Sequence, residues 1–441
     1  MTDSSPHSKL DSPEVSAIEE MSQEMNVIVP PTEIAKGIGV ATTAFFIVAE
    51  MAGSGVLALP KAVVESGYTG IGLIVVASIM SAYTGKILGD CWNILLDKLP
   101  QYREHNRYPY PSIGYEAIGP AGRYLVSICV NLTLFGVGVV FLILASNNLI
   151  SLIDTHNISY AGWLAICAAF VTPLMWFGTP KDFWFIGILS AACTITAVIL
   201  IFINLMLIAP APQDLASVPQ APVTFTSFFF AFGAILFAYG GHAAFPTVQH
   251  DMREPSKFKQ SILISYTTVN CLYLPIAIAG FLIFGRNAET ADILLTLKKS
   301  GRGGAILAIA EVLITLHALF GFIIVQNPLA QEIENIFKVP NKFCWQRVVL
   351  RTIQVGAVLG LAEAVPKFGA VLSLIGGSTV TALTFIFPSL FYLILKKKLA
   401  RKPISLVEYT INIELIAIGF LGGIASTYSA IVGIGKAFAP K

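Results

Sequence analysis

Two apolar segments far apart in the chain carry the same defect. Gly-Val-Leu-Ala-Leu-Pro (55–60) follows Gly53 and Ser54, and Gly-His-Ala-Ala-Phe-Pro (241–246) follows Tyr239 and Gly240. In both, the glycine stands five residues ahead of the proline, and the offset between the motifs is a constant 186 residues (55 to 241, 60 to 246). Glycine leaves the backbone bare, and proline removes both a donor and a helical hydrogen bond. In hydrocarbon such an opening survives only where it faces protein or a water-filled cavity. Matched breaks in two halves of a chain mark the central site of a secondary transporter.

Composition places these segments in a membrane. Of 441 residues, 55% are hydrophobic and 12% charged, about half the charge of a soluble chain. Mean hydropathy is +0.74, and runs of roughly 20 apolar residues recur throughout. The net charge of +2 gives no reason to expect nucleic acid as a partner. The six cysteines form no C-x-x-C pair, so neither a disulfide framework nor a metal site is expected. Residues 1–36 hold seven acidic residues against Lys9 and Lys36, the composition of a disordered tail.

The apolar pattern predicts an all-α integral membrane protein of eleven spans, near 37–60, 70–95, 123–150, 160–178, 183–209, 225–248, 261–285, 304–335, 347–365, 368–395 and 411–434. The 304–335 run exceeds what crossing requires, so its end, with Gln331, Glu332 and Glu334, is expected to project into water. With the N-terminus in the cytoplasm, 20 of the 28 Lys and Arg fall on the inner side and 8 on the outer, which satisfies the positive-inside bias. That orientation puts the C-terminus outside or in a lumen and the Lys396–Arg401 cluster at the inner surface. It also exposes the Asn157-Ile-Ser glycosylation pattern to the outer or lumenal side.

Breaks in the first and sixth spans divide the chain into five plus five plus one. An odd unit repeated must enter the membrane the opposite way up, giving an inverted repeat (APC/LeuT-like). Repeat one covers about 37–209, repeat two about 225–395, and the eleventh helix about 411–434, so 37–435 form one transmembrane domain.

Several motifs point to one family. Residues 53–60 with Glu-Ser-Gly-Tyr (65–68), Tyr-Thr-Gly-Lys (83–86), 241–246 with Arg-Glu-Pro-Ser-Lys-Phe (253–258), Asn-Pro-Leu-Ala-Gln-Glu (327–332), and Val-Pro-Lys-Phe-Gly (365–369) leading to Leu-Ile-Gly-Gly (374–377) stand in this order. Together they resemble the amino acid/auxin permease family, and most closely its vesicular inhibitory and vacuolar amino acid transporter branch. Lys61 departs from the tyrosine that many members carry after the proline. The resemblance implies amino acid transport by alternating access, usually driven by a proton gradient, and an endomembrane such as a vacuole, lysosome or vesicle.

An amino acid offers a carboxylate and an ammonium. Unwound backbone can answer both, with the N–H groups of a half-helix and with freed carbonyls. The expected binding residues are therefore Gly53, Ser54, Gly55 and Val56 in the first break, and Phe237, Ala238, Tyr239, Gly240 and Gly241 in the second. Tyr239 could serve as a gate over the side chain. Close helix packing is the competing explanation for each glycine. Asn131, in the third span, could bind substrate or join two helices.

Charges at membrane depth are costly unless paired or functional. Glu50, three residues before the first break, is the first candidate for proton coupling; His242, Glu311 and His317 are the others. An internal hydrogen bond would equally explain Glu311, and a satisfied packing role would explain His317. Glu363, Lys367 and Glu414 lie near span ends, where a solvated head suffices. No nucleophile–base pair or phosphate loop suggests an enzyme. The expected partners are a small or neutral amino acid and membrane lipid, with no cofactor. Sodium coupling through Ser54 and Thr315, or amino acid sensing on the same fold, are the alternatives.

Overall fold

The computed structural model describes residues 37–438, apart from 105, 154–156, 178–183, 212–217, 221, 289–290, 302–303 and 341–342. The acidic tail, 1–36, lies outside the described residues. Between short connections, the described residues are helical. Among the described residues the only β pairing is a bridge between Ile38 and Met252.

The first span is two helices, α1 (Val40–Met51) and α2 (Gly55–Ser66), bent by 58°. Then follow α3 (Thr69–Lys98), α4 (Pro109–Ile118), α5 (Pro120–Ile153), α6 (Tyr160–Met175) and α7 (Trp184–Ile208). The second break separates α8 (Phe225–Ala238) from α9 (Phe245–His250), and α10 (Phe258–Phe284) and the short α11 (Ile293–Lys299) come next. The rest is α12 (Gly304–Ile336), α13 (Trp345–Ala364), α14 (Phe368–Lys398) and α15 (Leu406–Phe438).

Seven of these helices, and an eighth segment if the bent pair counts as one, are long and apolar enough to cross a membrane. The other expected spans fall on α6, on α8 with α9, and on α13. The first two are short apolar helices, and α13 is 20 residues long with Arg347 and Arg351 in its first half. The protein is thus an all-helical, multi-pass membrane protein. Its outer faces carry bare Leu, Ile and Phe, such as Ile79, Leu207, Leu263 and Leu421, as hydrocarbon surroundings permit.

Two sequence expectations are corrected. The first span does not stop at Pro60 but runs on to Ser66, with the proline inside α2. The break lies earlier, at 52–54. In α9, by contrast, Pro246 is the second residue, where its missing N–H has no partner to lose. The same spacing of glycine and proline therefore sits in two different helical registers.

Near the end of α12, Glu334 does not project into water, although the last two helical residues, Asn335 and Ile336, are exposed. Glu334 is buried, and its Oε1 accepts from Arg351 Nε at 2.6 Å and Arg347 Nε at 3.1 Å. Arg351 Nη1 also donates to the carbonyls of Met175 (2.7 Å) and Phe177 (3.1 Å), closing the end of α6. Cationic donors suit a helix C-terminus. Glu334, read as part of a solvated tip, instead locks α12, α13 and α6 together, while Gln331 and Glu332 are half-buried beside a cavity.

Candidate functional site

In the first break, the Ala52 N–H still reaches Val48 O (2.7 Å), while the Gly53 N–H turns back to Met51 O (2.8 Å). Helix α2 then starts afresh at Gly55, with Ser54 at its N-cap making no side-chain capping bond. The leading N–H groups of a helix have no helical acceptor. The second break mirrors this. The Gly240 N–H reaches Phe237 O (3.1 Å), the Gly241 N–H reaches Tyr239 O (3.2 Å), and the helix resumes at Phe245.

The breaks meet at backbone distance. A Cβ on Gly55 would lie 2.6 Å from Ala238 Cα, and one on Gly241 would lie 3.0 Å from Met51 Cγ. Gly240 faces Val380 as tightly, and Gly53 faces the His317 ring, its virtual Cβ 3.2 Å from Nε2. At Gly55 the neighbour is backbone, and only glycine permits that approach; at the others a side chain would have to give way. Tyr273 of α10 clips the pair: its hydroxyl is 2.5 Å from Met51 O and 3.1 Å from Ala238 O, the last carbonyls of α1 and α8. At the Arg253 end, the bridge from Ile38 N–H to Asp251 O (2.9 Å) and from Arg253 N–H to Ile38 O (2.9 Å) ties the start of α1 to the chain after α9.

Between the breaks lies a small cavity of about 50 Å³, bounded by Glu50, Gly53, Ser54, Gly55, Phe237 and Gly240, with Thr133, Phe141 and Val380 opposite. Val380 ends a π-helical stretch of α14, Gly376–Val380, followed by a second at Ala382–Ile386. Such widened turns recur at functional sites. Thr133 Oγ1 of α5 bonds Thr379 Oγ1 (2.7 Å) across the same wall.

Glu50 also borders two larger cavities. One, about 350 Å³, runs past Asn131 and Ser127 to Arg107, Gln331 and Glu332. The other, about 370 Å³, lies between α1, α7 and α12 and reaches Ser190, His317 and Asn327. Glu50 and Val325 line all three, and Glu50, the charged one of the two, is exposed into them.

The remaining expected residues are scattered around this centre. Asn131 lines the 350 Å³ cavity rather than the central one. Tyr239 turns away: it is buried, its hydroxyl donates to Asn270 Oδ1 (2.6 Å), and its ring stacks at 6.2 Å on Tyr266. Phe237 is the break's aromatic that faces the cavity. His242 packs against α3, with Nε2 3.0 Å from Thr84 Oγ1 and 3.2 Å from Ser81 O. Glu311 accepts from Ser151 Oγ at 2.6 Å, an interhelical bond remote from the breaks. Val56 is buried in the first turn of α2. Asn157 is exposed in the α5–α6 connection.

Sequence reasoning missed Thr133, Phe141, Tyr273 and Val380. For Thr133 a hydroxyl inside an apolar run was the available signal. For Tyr273 and Val380 no signal existed, because apolar helices do not reveal which face turns inward.

Residues 36–432 match the family described as transmembrane amino acid transporter protein. Among curated relatives, Amino acid transporter AVT1D of Arabidopsis thaliana is 28% identical over 401 residues, 86% of this chain and 67% of its own. AVT1B of the same plant is 26% identical over 395 residues, covering 87% and 69%. AVT1H is 27% identical over 391 residues, covering 86% of each chain.

Proposed function

The chain belongs to the transmembrane amino acid transporter family, and from that premise we propose that it moves a small neutral amino acid by proton-coupled alternating access. The observation that carries this reading is the meeting of both breaks on one small cavity beside a single carboxylate, Glu50. The N-terminal N–H groups of α2 would take the substrate carboxylate. Carbonyls of the unwound turns would take its ammonium, while Met51 O and Ala238 O already accept from Tyr273. Phe237, Phe141 and Val380 leave room for only a small side chain and offer it no charge.

Movement follows from where the cavities open. The central space continues past Glu50 toward Arg107 and Glu332, the face that the Lys and Arg count assigns to the cytoplasm. We read this arrangement, on that orientation, as an inward-facing state. The return state would come from tilting the two broken segments as one piece, since Tyr273 and the Ile38–Arg253 bridge hold them together. Eleven spans in a five-plus-five inverted repeat complete the proposal, with the N-terminus cytoplasmic and an endomembrane as its location.

Uptake of labelled amino acids into proteoliposomes, with proton and sodium gradients imposed separately, tests the function. Accumulation of small neutral substrates under the proton gradient is the expected result. Accumulation under sodium alone would replace the driving ion, and binding without flux would make the protein a sensor. Glu50→Gln is expected to lose pH-driven uptake while keeping part of the substrate exchange. Orientation has its own test: Asn157→Gln should remove an endoglycosidase-sensitive mass shift of the protein made in eukaryotic cells, and a glycan elsewhere would contradict it.

A further inference from the structure

The histidine facing the first break is held in one tautomer. His317, on α12, is buried, and its Nδ1 lies 3.2 Å from the carbonyl of Ser190 and 3.0 Å from the Ser190 hydroxyl. A carbonyl only accepts, so Nδ1 carries the hydrogen and donates. The Ser190 hydroxyl is then free to reach the His317 carbonyl at 3.3 Å. In the opposite tautomer the Ser190 hydroxyl could turn to donate to Nδ1, but the Ser190 carbonyl would face the Nδ1 lone pair at 3.2 Å and Nε2–H would be a buried donor with nothing to bond. Nε2 therefore presents a bare lone pair. It has no hydrogen-bond partner and points at Gly53, whose missing side chain leaves it access to the turn. Phe141 holds the ring edge-on at 5.4 Å between centroids, and Gly321 gives that phenyl its space.

The surroundings suit a proton that comes and goes. The imidazole borders the 370 Å³ cavity, and among its lining residues Glu50 is the only charged side chain. Helix α7 contributes Gly187, Ser190 and Ala191, and α5 contributes Phe141. On its own helix, Glu311 is six residues away, about 9 Å along the axis, and is bonded to Ser151. An imidazolium here would be balanced by the Glu50 carboxylate in the same space, and no lysine or arginine lining that cavity opposes it.

We propose that His317 Nε2 is a proton-binding site of the transport cycle, and that its protonation adds a donor for the substrate carboxylate at the start of α2. This rests on the proposed function and assigns a second protonatable group to the same site. The proton moves from solvent to Nε2 through the Glu50 cavity, and no other bond changes. Binding of proton and amino acid then strengthen each other reciprocally.

The test uses reconstituted full-length protein. In the wild type, the KM for the amino acid should rise about tenfold as the pH is raised through the histidine range, within the usual span of coupled sites. His317→Gln, whose amide places a permanent donor near Nε2, should give a KM that no longer varies with pH, saturable exchange, and no accumulation under a pH gradient. His317→Asn, which keeps only the Ser190 side of the ring, should bind weakly at every pH. Wild-type pH dependence persisting in His317→Gln would overturn the proposal. If either variant fails to insert, the imidazole nitrogen resonances of detergent-solubilised wild-type protein labelled at histidine, recorded with and without the amino acid, decide: a histidine that becomes doubly protonated on adding the amino acid supports the proposal, and the absence of one overturns it. Wild-type protein that carries no amino acid at all would refute the proposed function instead.

Discussion

Glu334→Gln is expected to destabilise the protein by about 3–5 kcal/mol, the cost of leaving buried charge uncompensated. The amide keeps the shape of the side chain but not its charge. Two guanidinium groups, 1% and 7% exposed at Arg351 and Arg347, would then face each other without a counter-ion. The readout is thermal unfolding of detergent-solubilised protein, where the melting temperature should fall well below that of the wild type. The triple change Glu334→Leu, Arg347→Leu and Arg351→Met should recover part of the loss, because replacing a whole buried ion cluster by apolar groups is often neutral. Recovery should stay incomplete, since Arg351 also serves the Met175 and Phe177 carbonyls. Equal stability of Glu334→Gln and wild type would mean that this cluster is not what joins α12, α13 and α6.

The same cluster shows where reading the sequence stops. Glu334 lies at the end of a run too long for the membrane, and charge at such an end has a ready explanation in water. Nothing in the local pattern says that two arginines a loop away return to meet it, because that pairing spans a turn between helices. The matched breaks were legible for the opposite reason. Each is a local backbone defect whose cost is large wherever the chain goes, so glycine and proline announce it without knowledge of neighbours. Glu50 was legible on the same ground, as a charge at membrane depth.

Side-chain direction was not legible. Tyr239 stands in the break, yet its ring leaves toward Asn270 and Tyr266, while Phe237 takes the cavity wall. The interruption resets the helical phase, so counting 3.6 residues per turn across it fails. Apolar helices also lack the polar face that orients a helix in a soluble protein. His317 illustrates both limits. Its depth was readable, but the Ser190 carbonyl that fixes its tautomer sits 127 positions away in the chain.

Gly55→Val is expected to abolish transport, with uptake at least about a hundredfold lower, because the site's geometry depends on backbone contact between the two broken spans. Even a single Cβ at this position would meet Ala238 Cα at 2.6 Å and Ala238 Cβ at 2.9 Å. Backbone cannot swing aside as a flexible side chain can, and valine adds two further methyl groups. The two segments must separate, which pulls Met51 O and Ala238 O away from the single hydroxyl of Tyr273 that serves both. A misplacement of about 1 Å in a positioned site can cost on the order of a hundredfold. Gly356→Val and Gly360→Val are the controls, since a Cβ at either meets nothing within 4 Å. Ala238→Gly should rescue Gly55→Ala only in part, for it removes the Cβ contact and leaves the closer one with Cα. Full rescue would show that side-chain crowding alone matters at this crossing. Unimpaired uptake by Gly55→Val would mean that the two breaks need not touch for the protein to bind and carry its substrate.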